Sequence, residues 1–177
     1  MLDKLIDFVV QFIELFKFWI VIQPYEGGVQ LRFGKFHKVL ESDNGIRGTG
    51  FHLVLPFGID HTITEHIVPT THSLGDESTI SKDGKSIGFH AVVTYKVRDI
   101  QKALLDVEDV KHAVLDACCG EIGRVMRAST WEEMLAEDIL EKLTKACRAR
   151  GFRYGIEVMS VQLAGIAICR SIRLMQR

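Results

Sequence analysis

The residues of this chain best suited to chemistry are its four cysteines and seven histidines, and their spacing argues against most of it. Cys118 and Cys119 are adjacent, Cys147 and Cys169 stand apart, and no C-x-x-C pair is present. Adjacent cysteines on a helix cannot comfortably bond each other. The four read as buried free thiols of a reducing compartment rather than as a disulfide or a lipid-modified site, and no cysteine lies beside the N-terminal segment to carry a palmitoyl chain. His61, His66 and His72 fall in a stretch that reads as one long strand interrupted at Pro69. Strand alternation sends the first two to opposite faces and spreads the last two about 20 Å apart, whereas a zinc site needs convergence. His52 and Asp60 with Ser73 or Ser78 could compose a triad, but no G-x-S-x-G elbow presents a serine. Gly27-Gly28 and Gly48-Thr49-Gly50 open no helix and carry no following Gly-Lys-Ser/Thr, so neither is a phosphate loop. Catalysis, cofactors and metals are therefore not expected. Arg124 and Arg127, near Glu121 on one helix, read as intrahelical or interchain ion pairs and are the candidate oligomer contacts.

Charge narrows the partners. The chain of 177 residues carries 22 Lys plus Arg against 23 Asp plus Glu, a net charge of −1. A nucleic-acid binder would show a basic excess, so none is expected as partner. Mean hydropathy is +0.12, and the apolar excess is concentrated at one end: residues 1–22 hold 16 hydrophobic side chains. Met1–Ile22 lacks the positive n-region and small-residue cleavage site of a secretory signal. Read as a helix, Leu5–Ile22 is about 27 Å long, short of a hydrocarbon core of about 30 Å. Asp3, Asp7, Gln11, Glu14 and Lys17 are spaced 4, 4, 3 and 3 and so share one narrow face. The opposite face, with Leu5, Phe8, Val9, Phe12, Ile13, Phe16, Trp19 and Ile20, is the candidate membrane contact. This pattern suits a helix lying in the membrane interface or a spanning helix whose polar stripe meets sister helices. The alternative is a helix packed on its own core. Pro24 then ends the helix and Gly27-Gly28 turns the chain.

The elements that follow predict an α+β unit. Glu26–Phe33, Lys35–Leu40 and Phe51–Leu55 read as strands, with a loop over Ser42–Gly50. Lys82-Asp83-Gly84 between two alternating runs predicts a hairpin, because glycine tolerates positive φ. In its second arm Ile87, Phe89, Ala91, Val93, Tyr95 and Val97 share one face. Asp99 caps a short helix to Leu105. Val107, Val110, Val114, Cys118, Ile122 and Val125 then recur at helical spacing to about Arg127. Thr130 to Glu133 fits a capping box, and Trp131, Leu135, Ile139, Leu143 and Ala146 form the apolar face of the next helix, with Gly151 as its C-cap. Gly155–Ile166 alternates as a closing strand with its buried face undecided between two series.

The assembled pattern resembles the band 7 or SPFH family, which includes stomatins, prohibitins, flotillins and the HflK/HflC-like regulators. The resemblance rests on Gly28-Val29-Gln30-Leu31-Arg32-Phe33-Gly34-Lys35, on Gly50-Phe51-His52-Leu53-Val54-Leu55-Pro56-Phe57 with Asp60, on Ser81-Lys82-Asp83-Gly84, and on Ala91-Val92-Val93-Thr94-Tyr95-Lys96-Val97-Arg98-Asp99. Ile122-Gly123-Arg124 and Gly155-Ile156-Glu157-Val158 match later landmarks. Thr49 stands where the family carries a proline, and the proline after the closing strand is missing around Ala167–Cys169. The resemblance implies three segments: a membrane-associating helix over 1–23, an SPFH-like domain over 24–167, and the start of a C-terminal helix over 168–177. Family members usually continue into a coiled coil, so the chain is either truncated or assembles through other surfaces.

The implied function is a membrane-associated scaffold that forms a large ring- or cage-like homo-oligomer, or a hetero-oligomer with a paralogue, and organises a membrane microdomain or encloses membrane proteins. Its first partner is the lipid bilayer. In the β-rich half Phe51, Leu53, Leu55 and Phe57 are candidates for a second contact there, against the alternative of core positions. A regulatory subunit of a membrane protease or channel is the alternative, and a soluble adaptor docking its helix in a partner's groove is the second. Arg32, Lys35 and Lys38 after the helix place the globular part on the cytosolic side if the helix spans.

Overall fold

The computed structural model describes residues 18–169. The chain divides between Val68 and Pro69 into two compact units.

In the first unit Trp19–Val21 (β1) pairs antiparallel with Phe51–Leu53 (β4). The sequence pattern has residues 19–21 close a helix; the structure makes them a strand. Trp, Ile and Val in succession favour extended backbone, and Pro24 denies the helix a further turn. β4 supplies the partner, with Trp19 opposite Leu53 and Val21 opposite Phe51. Trp19 and Ile20 thus stand on a strand, while Leu5, Phe8, Val9, Phe12, Ile13 and Phe16 lie outside the described residues. Glu26–Arg32 (β2) is the centre of a second sheet, flanked by Lys35–Leu40 (β3) and Asp60–His66 (β5). Ile22, Val29 and Leu40 are its buried apolar residues, joined by buried Gln30, His52 and Asp60.

The second unit is a three-stranded antiparallel sheet with helices on one face. Its order is Thr70–Ile80 (β6), Ser86–Val97 (β7) and Ile156–Ile168 (β8). The run around Pro69 is therefore two strands in different sheets, which separates His61 and His66 from His72. The hairpin turns at Lys82-Asp83-Gly84 with Ile80 opposite Ser86. Ile87, Phe89, Ala91, Val93 and Tyr95 are buried in one row, as their alternation requires. β8 resolves the choice between its two series by taking both. Bulges at Met159 and Ala164 shift its phase, so Ile156, Val158, Val161, Leu163, Ile166 and Ile168 all stand opposite the inner row of β7.

Four helices follow β7: Ile100–Leu105 (α1), Val110–Ala128 (α2), Trp131–Leu135 (α3) and Asp138–Gly151 (α4). Asp99 caps α1 by accepting from the Lys102 N–H, and Asp109 caps α2 by accepting from the His112 N–H. Asp109 sets the start of α2, so Val107 lies before it. Thr130 and Glu133 form the capping box of α3. The helix expected to run on from Trp131 breaks at Ala136, whose backbone is extended. The break moves Met134 into the core and leaves Leu135 59% exposed. The buried row becomes Met134, Ile139, Leu143 and Cys147, with Ala146 only half-buried. Gly151 is the last helical residue, and Gly155 takes the left-handed conformation, with φ +72°. Its carbonyl accepts from the N–H groups of Arg98 and Asp99, which locks the start of β8 to the end of β7.

Candidate functional site: an apolar rim held by a buried carboxylate

Asp60 organises one end of the first unit. The Arg32 guanidinium donates to it through Nε (2.8 Å) and a terminal nitrogen (3.0 Å), the Leu55 N–H donates at 2.8 Å, and the Gln30 amide donates as well. The Asp60 side chain has no exposed surface. The Arg32 hydrogen bonds, aided by the Leu55 and Gln30 donors and opposed by burial, hold its carboxyl down at about 2. A short buried acid at the start of β5 thus fastens β2, β5 and the turn after β4 together.

His52, the buried member of β4, hydrogen-bonds the Glu41 carbonyl through Nε2 (2.8 Å). Nε2 must therefore carry the proton. Its burial turns its neighbours outward. Leu53 is 57% exposed, Leu55 and Phe57 are exposed, and Phe51 is half-buried and stacked on Trp19 at 6.5 Å. The four residues considered as a second membrane contact are thus mostly surface rather than core.

Two turns extend this rim. Phe33-Gly34 joins β2 to β3, and Phe57-Gly58 lies in the turn from Pro56 to Ile59. Both residues of each turn have positive φ: +50° and +75° in the first, +63° and +73° in the second. Asn-Gly is the preferred pair for such a turn, and a phenylalanine there is strained by roughly 1–3 kcal/mol. The Phe33 N–H donates to the Ile59 carbonyl (2.8 Å), so the two turns are neighbours. Phe33 is 76% exposed and Phe57 is 60% exposed. Phe33 in particular leaves most of its ring in water despite that strain. Nothing in the sequence analysis singled out Phe33; a Phe-Gly pair between two alternating strands was the available signal.

The other groupings weighed from the sequence are divided between the two units or turn out structural. His52 and Asp60 have separate partners and belong to the first unit, while Ser73 and Ser78 belong to the second. A different serine–histidine–aspartate relay does form on β6 and β7. Ser73 Oγ lies 3.0 Å from His90 Nε2, and Asp76 Oδ1 lies 2.9 Å from His90 Nδ1. Counting back from the Asp-Gly turn would have paired Asp76 with His90; Ser73 arrives only through the bulge between Ser73 and Asp76. Ser73 Oγ also accepts the Gly75 N–H (3.1 Å). Asp76 is 95% exposed, and the relay borders an open groove of ≈ 370 Å³ on the sheet. Water screens such a pair, whereas acyl transfer relies on an enclosed and preorganised site. The three groups fasten the bulge.

Glu121 receives Arg124 and Arg150, each at 2.7 Å. Arg150 and then Arg124 hold its carboxyl below the usual range against burial. Arg124 is therefore an intrahelical pair, while Arg127 is exposed and has no ion pair among the described residues. Arg150 was missed because α4 had to be folded onto α2 to bring it there. Cys118 and Cys147 are buried in contact, and the hydrogen bond to Cys118 together with burial pushes the Cys147 thiol far up. Cys119 is half-buried and Cys169 exposed, against the expectation that all four are buried. Among the described residues no three metal-ligating groups converge, and no helix is long and apolar enough to cross a membrane.

Comparison with known proteins supplies the family. The chain is 24% identical over 149 residues to an uncharacterized protein of Methanocaldococcus jannaschii, covering 83% of this chain and 71% of that one. It is 24% identical over 155 residues to an uncharacterized protein of Archaeoglobus fulgidus, covering 86% and 59%. It is 25% identical over 123 residues to a Band 7 protein of Drosophila melanogaster, covering 70% and only 23%. The profile of the SPFH domain / Band 7 family matches residues 20–173, beginning at β1 and taking in both units, so the chain belongs to that family.

Proposed function

We propose that this protein is a membrane-associated scaffold that works as many copies side by side, organising a patch of membrane or enclosing membrane proteins. The observation that carries the reading is the exposed apolar rim of Trp19, Leu53, Leu55 and Phe57, of which Trp19 closely follows the largely apolar residues 1–17 in the chain. Membership of the Band 7 family agrees with it. One shallow apolar segment binds a bilayer weakly, and an array of copies multiplies that affinity through effective concentration. A net charge of −1 lets copies crowd without mutual repulsion. Arg127, exposed on α2, is the side chain assigned to a contact between copies, and the globular part is assigned to the cytosolic side.

Flotation with liposomes tests the reading. The wild-type chain is expected to float, and a Phe12→Asp/Phe16→Asp variant to stay with the load. Flotation of that variant at wild-type level would remove the N-terminal segment from the account. Electron microscopy of the floated fraction reports whether regular assemblies form.

A further inference from the structure

We infer that Cys118 and Cys147 are a peroxide-responsive dithiol, whose disulfide staples α2 to α4 inside the second unit. Their placement carries the inference. Cys118 belongs to the buried face of α2 and Cys147 to that of α4, and both side chains are fully buried. The Cys147 thiol donates to the Cys118 carbonyl at 3.7 Å, and its side chain also meets the Cys118 sulfur. Disulfides form between cysteines whose side chains face each other at close range. Rotation of these two side chains, rather than displacement of a helix, closes the bond to about 2.05 Å.

The other two thiols are placed where they do not compete. Successive residues of a helix point about 100° apart, so Cys119 is turned from α4 and meets Glu77 on β6 instead. Cys169 follows β8, and its sulfur lies beside Gly88. Gly88 stands between Ile87 and Phe89, whose side chains are buried, so its open side faces away from the helices. The sheet therefore separates Cys169 from the pair. The hydrogen bond from Cys147 holds the Cys118 thiol below its usual value against burial, while the Cys147 thiol is pushed far up. Cys118 is the sulfur that ionises and reacts first.

A pair sealed in the apolar cluster of the second unit needs a small, neutral oxidant, and hydrogen peroxide is that class. The Cys118 thiolate attacks one peroxide oxygen. The S–O bond forms, the O–O bond breaks, and the departing hydroxide takes up the proton that Cys118 released. The Cys147 sulfur then displaces the hydroxyl from the Cys118 sulfenic acid. The S–S bond forms, the S–O bond breaks, and the hydroxyl leaves as water with the Cys147 proton. Two thiols thus lose two electrons and two protons, and one peroxide becomes two waters. The bond closes a loop that contains α3 and the break at Ala136, which restricts the unfolded chain.

Peroxide treatment of the full-length chain tests this, with Cys119→Ala/Cys169→Ala as the clean case because only the pair then carries thiols. The chain is oxidised in native buffer, quenched with N-ethylmaleimide in denaturant and mapped by peptide mass. Cys118 is expected to be joined to Cys147 within one chain, about 2 Da below the sum of the two peptides. The melting temperature is expected to rise by about 5 °C or more, and dithiothreitol to reverse both changes. In the otherwise native chain, Cys119→Ala keeps the link, while Cys118→Ala and Cys147→Ala each abolish it. Maleimide on both cysteines after peroxide, oxygen gained at either one, or a link between chains overturns the inference. So does a bond that forms only once urea has unfolded the second unit. A bond that leaves the melting temperature unchanged or lowers it overturns the staple.

Discussion

A single carboxylate decides how the first unit responds to acid. Asp60 has no exposed side-chain surface and three donors in its own neighbourhood. Its carboxyl is held at about 2, below the usual carboxylate value of 3.8. A depressed folded-state pKa contributes stability that is complete above the unfolded value and disappears as pH falls toward the folded one. The contribution, on the order of 2 kcal/mol, is therefore expected to be lost between about pH 4 and pH 2. Asp60→Ala removes it at every pH and leaves Gln30 and the Leu55 N–H without their acceptor, costing about 2–3 kcal/mol. Chemical denaturation at pH 7 checks the cost. An Asp60→Ala variant whose stability still falls as steeply as wild type between pH 4 and pH 2 would contradict the assignment.

The elements were legible wherever a local signal was complete. The Asp-Gly hairpin, the Asp99 cap and the Thr130–Glu133 box each need only neighbouring residues, and each formed as the sequence indicated. Errors occurred where tertiary partners decided. Residues 19–21 became a strand because β4 lies beside them. The helix after Trp131 broke where Met134 was needed inside. Gly151 resembled a C-cap, but its helical backbone packs against β8, where a Cβ would meet the Ile156 carbonyl at 3.0 Å. The left-handed position is Gly155, where a Cβ would sit 2.4 Å from the Asp99 carbonyl oxygen. Gly155→Ala thus combines a strained φ with a backbone clash and is expected to cost about 2–4 kcal/mol. Gly151→Ala meets looser neighbours in an already helical conformation and should cost less; thermal melts of the two variants give the ranking. The candidate site was half legible. Leu53, Leu55 and Phe57 were visible as an alternating apolar run, but their facing depended on His52 being the buried partner, which alternation alone cannot choose.

At the scale of the molecule the apolar core is unevenly shared. The contiguous cluster running from Ile87 to Val161 lies entirely in the second unit, between its sheet and α2 and α4. The first unit buries Ile22, Val29 and Leu40 and relies on Gln30, His52 and Asp60 for the rest. Glu121 also carries a depressed carboxyl, but it is one tie in a large apolar core. Hydrogen exchange on lowering the pH from 4 to 2 is expected to release residues 18–68 before residues 69–169. Equal loss of protection in both would show that the Asp60 cluster is not the weak point. Membership of the Band 7 family rests on both units together, whereas the features assigned to lipid belong to the first alone.

The two bulges of β8 give that strand an adjustable length. Met159 and Ala164 are the residues without a place in the ladder, and every other residue from Ile156 to Ile168 has a partner on β7. Removing either supernumerary residue leaves each neighbour on its present face, so a one-residue deletion there should be tolerated. Removing Gln162, which stands opposite Val92, puts the residues beyond it out of phase with β7. The chain can therefore lose a residue at two points of an otherwise fixed strand while its apolar row stays aligned.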